Sequence, residues 1–276
     1  MNASLSSSLV PSGVDLAGLG LSGRVALVTG GVRGVGAGIS HVMSAAGATV
    51  ITCARRPADD PDLANLEFHS ADLRDPQAVA GMMDDIVARH GRLDIVVNNA
   101  GGAPFAMAAD GSANFHSKIV ALNLLAGLTV SQEAHRVMTS DAASSQAPGG
   151  GAIVNISSVS AHRPSPGTAS YGAAKAGVDS LTRSLAVEWA PHVRVNSVVV
   201  GPVKTELAEM HYGDSDGIAA VDATVPMGRM ADPADVGHAV AFLASPLARF
   251  ITGAELLVHG GGERPAFLDA STANKG

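Results

Sequence analysis

Tyr171 and Lys175 stand four residues apart in a stretch, 170–189, whose pattern predicts a helix. On a helix that spacing puts both side chains on one face. A free tyrosine titrates near about pH 10 and is a poor base at neutrality. An ammonium beside it favours the phenolate, so the pair is suited to passing a proton to or from a substrate oxygen. Lysine occurs only as Lys118, Lys175, Lys204 and Lys275, which singles out one inside an apolar helical pattern. The plainer alternatives are a half-buried helix tyrosine and a solvated charge. A second chemical signal is Thr29-Gly30-Gly31-Val32-Arg33-Gly34-Val35-Gly36, between a β-branched run and a helical pattern. Glycines there permit a tight turn and the close approach of a pyrophosphate. The helix N-terminus that follows offers free N–H groups and a partial positive charge. An ordinary tight turn is the alternative, but the strand before and the helix after supply the context the motif requires.

These residues need a scaffold, and the chain alternates strand and helix patterns along its length. Residues 24–29, 49–53, 93–97, 152–156, 194–200 and 255–258 read as strands. Residues 35–46 and a stretch from about 114 to 138 read as helices. Asp75-Pro76 and Asp232-Pro233 each open a further helix, with Asp as N-cap and Pro in the first turn. Such alternation implies an α/β fold: a single-domain, doubly wound parallel sheet with helices on both faces. Its ligand belongs at the carboxyl ends of the strands. The polar, Gly-ended stretch 139–150 reads as a surface insertion. The expected organisation is a flexible leader over 1–20, a catalytic domain over 21–262 and a tail over 263–276.

Composition narrows the function classes. The chain has 276 residues, 46% of them hydrophobic, and a formal net charge of −7 without a basic run. That length supports a sizeable core, and the charge lacks the footprint of a nucleic-acid binder. No apolar run reaches the roughly 18 residues of a membrane span. Cys53 is the single cysteine, so no intrachain disulfide framework exists. A cytoplasmic protein is expected, since the leader lacks a positively charged n-region.

The turn's G-x-x-x-G-x-G spacing after a threonine resembles the short-chain dehydrogenase/reductase family, and the resemblance continues along the chain. Asn98-Asn99-Ala100-Gly101 is similar to the family's NNAG motif, and Tyr171-Gly172-Ala173-Ala174-Lys175 to its Y-x-x-x-K motif. Asn155-Ile156-Ser157-Ser158 and Arg194-Val195-Asn196 follow in the family's order. The match covers about residues 22–262 and is closest to the 3-oxoacyl-carrier-protein-reductase-like branch. It implies a Rossmann-type fold and a hydride transfer between a nicotinamide cofactor and a carbonyl or secondary alcohol. Tyr171 becomes the acid/base, and Lys175 a donor to the nicotinamide ribose. Ser158 becomes the group that polarises the substrate, with Ser157 and Ser160 as neighbouring alternatives. Asn123 becomes the support of a water linking the lysine to solvent; its plainer role is to satisfy a helix kink. The resemblance also implies a homotetramer or dimer. No metal is expected.

For the cofactor, the resemblance implies contacts from Gly30, Val32, Arg33, Gly34, Val35 and Gly36 to the phosphates. Asp72 and Leu73 would meet the adenine, and Asn99, Ala100 and Gly101 the adenosine ribose. Gly201, Val203 and Thr205 would hold the carboxamide, although Val200 replaces the family's usual proline. His259 replaces an acid common in the family's ending and is expected to be structural. Ala54 stands where NAD-selective members carry an acid, and Arg55 and Arg33 can attract a 2′-phosphate. NADP(H) is therefore expected over NAD(H), unless these arginines are merely solvated loop charges. The substrate pocket is expected among residues 103–107, 160–165 and a lid over 205–227 that carries Met210, Tyr212, Ile218 and Val221. Oxoacyl thioesters, hydroxysteroids and smaller ketones all suit it. The competing expectations are an NAD-dependent alcohol dehydrogenase and a non-catalytic nucleotide-binding regulator. The retained Ser158, Tyr171 and Lys175 weigh against the regulator.

Overall fold

The computed structural model describes residues 16–58, 60–140 and 150–272; most of the expected leader and of the 139–150 insertion lies outside them. Seven strands form one sheet in the order β3-β2-β1-β4-β5-β6-β7, with every pairing parallel. The strands are β1 (Val25–Thr29), β2 (Thr49–Ala54), β3 (Glu67–Ser70), β4 (Ile95–Asn98), β5 (Gly151–Ser158), β6 (Val193–Val200) and β7 (Glu255–Val258). Every residue of β1, β5 and β6 is buried. That is the signature of strands covered on both faces. The doubly wound parallel sheet expected from the sequence is the one observed, and its order reverses between β1 and β4, where such sheets open a ligand crevice.

The principal helices on one face are α1 (Gly34–Ala45) and α9 (Pro233–Ala244), and their cluster includes Ile39, Met43, Val236 and Val240. Leu16 and Leu21 join it. The two helices pack closely because they meet at glycines. A Cβ on Gly38 would lie 2.5 Å from the Pro233 carbonyl carbon, and one on Gly237 would lie 2.9 Å from the Gly38 oxygen. The short α2 (Pro61–Ala64) lies beside α1, with its N-cap Asp60 paired to His41. The other face carries α3 (Pro76–His90) and the run from α4 (Ala113–Val120) to α5 (Ala126–Met138). Met83, Ile86, Val130 and Ala134 are fully buried there. Asp75 caps α3 as expected, its Oδ1 accepting from Gln77 N at 2.9 Å, and Gly91 ends the helix at φ +71°.

The stretch expected as one helix over 114–138 is continuous but irregular. Residues Ala121–Leu125 make a π turn, with Ala126 N–H donating to Ala121 O. The remaining helices are α6 (Ala169–Trp189), α7 (Ala208–Tyr212), α8 (Ser215–Thr224) and α10 (Ala266–Ala270). Among the described residues, no helix is long and apolar enough to cross a membrane.

Candidate active site

The turn after β1 is tied down by side chains from the end of β4. Thr29 Oγ1 donates to Val97 O at 3.1 Å and accepts from the Asn99 and Ala100 amides at 3.0 and 3.1 Å. Asn99 Nδ2 donates to the Thr29 and Gly30 carbonyls at 3.0 and 3.2 Å. Asn99, expected as a cofactor contact, thus braces the turn that would hold the cofactor. Gly30 and Gly34 adopt φ of +63° and +54°, which side-chain-bearing residues avoid. A Cβ on Gly36 would lie 2.1 Å from Gly30 O, so α1 begins directly against the turn. Val32 and Val35 are half-buried and Arg33 is exposed. Arg33 precedes α1 and makes no side-chain cap. Instead Gly34 N–H donates to Glu206 Oε2 at 3.1 Å. A carboxylate on the first amide of α1 is the charge type a helix N-terminus favours, as a phosphate would be.

At the ends of β2 and β3 the sequence expectations meet one another. Ala54 is half-buried, while Arg55 and Arg56 are exposed. Leu73 is buried. Asp72 is engaged by Arg74, with Nε and Nη2 donating at 2.9 and 2.5 Å and the Arg74 amide at 3.1 Å. Those side-chain bonds, then the amide, hold the Asp72 carboxyl down at about 2, with a smaller pull from Arg55. Asp72 was expected to receive the adenine amino group; its oxygens already share Arg74.

The expected catalytic residues converge. Ser158 ends β5, and a 3₁₀ turn, Val159–Ala161, carries the chain toward α6. That turn presses on α6 where there is no side chain: a Cβ on Gly172 would lie 2.7 Å from Ser160 O. The contact brings the Ser158 side chain close enough to Tyr171 to act on its hydroxyl. Ser158 Oγ also accepts from the Ser160 amide at 3.2 Å. Ser157 lies deeper, its hydroxyl 3.5 Å from Lys175 O. Lys175 Nζ sits 5.6 Å from the centre of the Tyr171 ring and donates to Ile156 O at 2.7 Å.

The electrostatics differ from the expectation in one respect. The simple pair argument has the ammonium lowering the tyrosine. Here burial is the largest influence on Tyr171 and pushes its hydroxyl above the ordinary range, while the neighbouring Ser158 hydroxyl pulls it back. Burial also lowers Lys175 to about 8, partly offset by the negative charge of Asp179. Burial thus favours the neutral form of both groups, raising Tyr171 and lowering Lys175.

Asn123 lies in the π turn. Its Nδ2 donates to Ile119 O and Gly102 O, each at 2.9 Å, and its Oδ1 accepts from Gly102 N at 3.0 Å. It satisfies the irregular helix and pins the backbone after the NNAG motif in one act; a Cβ on Gly101 would lie 2.6 Å from its Oδ1. Asn123, Lys175, Asn98, Asn155 and Ser131 line one small cavity behind the site. Asn155, quoted in a motif but given no role, links β4 to α6, its Oδ1 accepting from Asn98 and its Nδ2 donating to Thr182, at 2.8 and 2.9 Å.

On the nicotinamide side, Gly201 lies against His259, whose Cβ would be 2.8 Å from a Cβ on that glycine. His259 thus has the structural place expected of it. Val203 bridges to Ala231, and Thr205 Oγ1 accepts from Leu207 N at 3.3 Å. The expected lid is α7 and α8, with Met210 and Met227 exposed. Tyr212 lies close enough to Tyr171 to add to its raised pKa. Sequence reasoning placed Tyr212 in the lid but not near the acid. It also missed Glu206 and Asp179. Nothing in the sequence points to Glu206, whereas Asp179 is one helical turn beyond Lys175.

The sequence family described as Enoyl-(Acyl carrier protein) reductase matches residues 30–263. A cis-4-hydroxycyclohexanecarboxylate dehydrogenase of Sinomonas cyclohexanicum is 38% identical, over 86% of this chain and 96% of its own. A 3-oxoacyl-[acyl-carrier-protein] reductase of Vibrio cholerae is 34% identical, over 88% and 98%. The ligand-free aldohexose dehydrogenase of Thermoplasma acidophilum superposes with a TM-score of 0.81 at 30% identity, over 93% and 98%. With that family match and these full-length similarities added to the sheet and its glycine turn, the chain belongs to the short-chain dehydrogenase/reductase family of NAD(P)-dependent oxidoreductases.

Proposed function

We propose that the protein is an NADP(H)-dependent reductase of ketones, or dehydrogenase of the matching secondary alcohols, with Tyr171 as acid/base. The observation that carries this is the convergence of Ser158 and the buried Lys175 on Tyr171, with Lys175 Nζ 5.6 Å from the ring centre. When bound, the nicotinamide supplies or accepts a hydride at its C4. The Ser158 hydroxyl holds the substrate oxygen beside the phenol, and Tyr171 donates its proton as that oxygen gains charge. Burial keeps Tyr171 protonated at neutrality, which favours reduction there; oxidation needs the phenolate and gains as pH rises. Lys175 holds positive charge beneath the ring and is the expected ribose donor. Asn123 shares a cavity with Lys175, which supports its role in resupplying protons through a water.

The cofactor residues follow the same division. Gly30, Val32, Gly34, Val35 and Gly36 form the phosphate turn, and the Glu206 carboxylate on Gly34 N–H supports that assignment. Gly201, Val203 and Thr205 serve the carboxamide, with Asp72, Leu73, Asn99, Ala100 and Gly101 on the adenosine side. Ala54 with exposed Arg33 and Arg55 supports NADP(H) over NAD(H). The relatives named above share oxidoreductase names and no common substrate. Phe105, Met210 and Met227 around the mouth support an apolar substrate under a lid. A cytoplasmic homo-oligomer is the proposed setting, supported by the exposed Val187, Phe250 and Leu257. The test is a carbonyl panel assayed with NADPH and NADH. Turnover of no ketone with either cofactor overturns the reductase; equal or better use of NADH overturns the NADP(H) preference.

A further inference from the structure

Away from the cofactor face, at the β7 side of the sheet, three chemically matched side chains meet. His162 follows the 3₁₀ turn after β5, Asp179 lies on α6 and Glu255 opens β7. One ligand atom from each lies within 4.8 Å of the other two. His162 Nε2 is 3.2 Å from Asp179 Oδ2 and 3.6 Å from Glu255 Oε2. Around a tetrahedral zinc ion, ligands at about 2.0–2.1 Å lie roughly 3.3–3.4 Å from one another. The two observed separations bracket that spacing.

A second observation points the same way. The Asp179 side chain is only 4% exposed, and its Oδ2 has no hydrogen-bond partner. His162 Nε2 approaches that oxygen without the alignment of a hydrogen bond. The other oxygen, Oδ1, is satisfied by Ser197 Oγ at 3.2 Å, so the carboxylate is already oriented by a neighbour. Glu255 is arranged likewise. Arg183 holds its Oε1, leaving Oε2 toward the cluster. A buried anionic oxygen facing a second carboxylate and an imidazole wants a cation. His162 is 45% exposed on its side chain, which gives an ion a way in. An imidazole beside two carboxylates suits zinc and similar divalent transition ions better than magnesium or calcium, which prefer all-oxygen shells.

We propose that His162 Nε2, Asp179 Oδ2 and Glu255 Oε2 form a binding site for a divalent transition ion of the zinc class, with water completing the shell. Bound there, the ion ties the 3₁₀ turn after Ser158, helix α6 and strand β7 together. The proposal does not depend on the substrate or cofactor assigned above.

Metal-stripped full-length protein is dialysed against zinc and its metal content measured, alongside His162→Gln, Asp179→Asn and Glu255→Gln. A surface control, His211→Gln, accompanies them. Cobalt serves as a spectroscopic probe of the same preparations. The expected result is one zinc per chain in the wild type and in the control, with cobalt bands of a four-coordinate site. Each ligand variant should weaken zinc binding on the order of tenfold or more. Glu255→Gln and His162→Gln change partly exposed residues, so at least those two report even if Asp179→Asn fails to fold. Wild-type zinc content no higher than that of the ligand variants overturns the site, leaving Arg183 and a proton on the cluster to balance its carboxylates. So does zinc lost equally in the His211→Gln control.

Discussion

Glu206 is expected to compete with the cofactor for the start of α1. Its Oε2 accepts from Gly34 N–H at 3.1 Å, where a dinucleotide phosphate would have to bind. A carboxylate at an exposed helix N-terminus contributes about 0.3–1 kcal/mol. That contribution must be given up when the phosphate arrives. Glu206→Gln keeps the size and removes the charge, so the expected gain in NADPH affinity is about two- to fivefold, since 1.4 kcal/mol is tenfold. The assay is a fluorescence titration of NADPH into wild type and variant at low and high salt. The advantage should shrink as salt rises, because an exposed charge is screened. An unchanged or weaker affinity in Glu206→Gln would refute the reasoning and make Glu206 a partner in the cofactor complex.

Three further outcomes are expected. Tyr171→Phe should lose all but a few per cent of kcat while keeping its NADPH dissociation constant, read by steady-state kinetics and titration; retained turnover removes Tyr171 as the acid. Ala54→Asp with Arg55→Ala should reverse the cofactor preference in kcat/KM; each arginine is expected to supply on the order of tenfold, a charge-assisted bond of roughly 1.5–3 kcal/mol discounted for solvent screening. Lys175 is lowered by burial from 10.5 to about 8. Between those values the unfolded chain binds the proton and the folded chain does not, so stability from this group rises with pH across the window. Relative to Lys175→Met, the wild type should gain on the order of 2 kcal/mol between pH 8 and about pH 10 in urea unfolding; a flat difference would show that burial does not depress the lysine.

The strands, the phosphate turn and the Tyr171/Lys175 face were legible because each rests on local pattern. Alternation of β-branched runs with helices fixes a parallel sheet, and spacing of four fixes a helical face. What escaped depends on contacts between distant residues. Glu206 reaches Gly34 through the path of the chain after β6, and no spacing encodes that. Asn99 carries a recognised motif, yet whether its amide faces a ribose or the Gly30 carbonyl is decided by the turn it packs against. The reversed influence on Tyr171 has the same origin. Sequence shows the lysine four residues away, but the depth at which both are buried decides which effect wins. His162, Asp179 and Glu255 come from three separate elements and form no motif at all.

The π turn at Ala121–Leu125 has a consequence for insertions and deletions. It fits one more residue between α4 and α5 than a regular helix would, and Asn123 absorbs the carbonyl of Ile119 that the wider turn frees. Removing one residue there would leave an unbroken regular helix with the faces of α4 and α5 still in phase, at the cost of the Asn123 clasp on Gly102 if Asn123 is displaced. Removing one residue from the regular part of α5 instead turns everything beyond it by about a hundred degrees, and Val130 or Ala134 then leaves the core. Single-residue deletions in this helix should therefore be tolerated best for folding where the helix is least regular, and worst within α5.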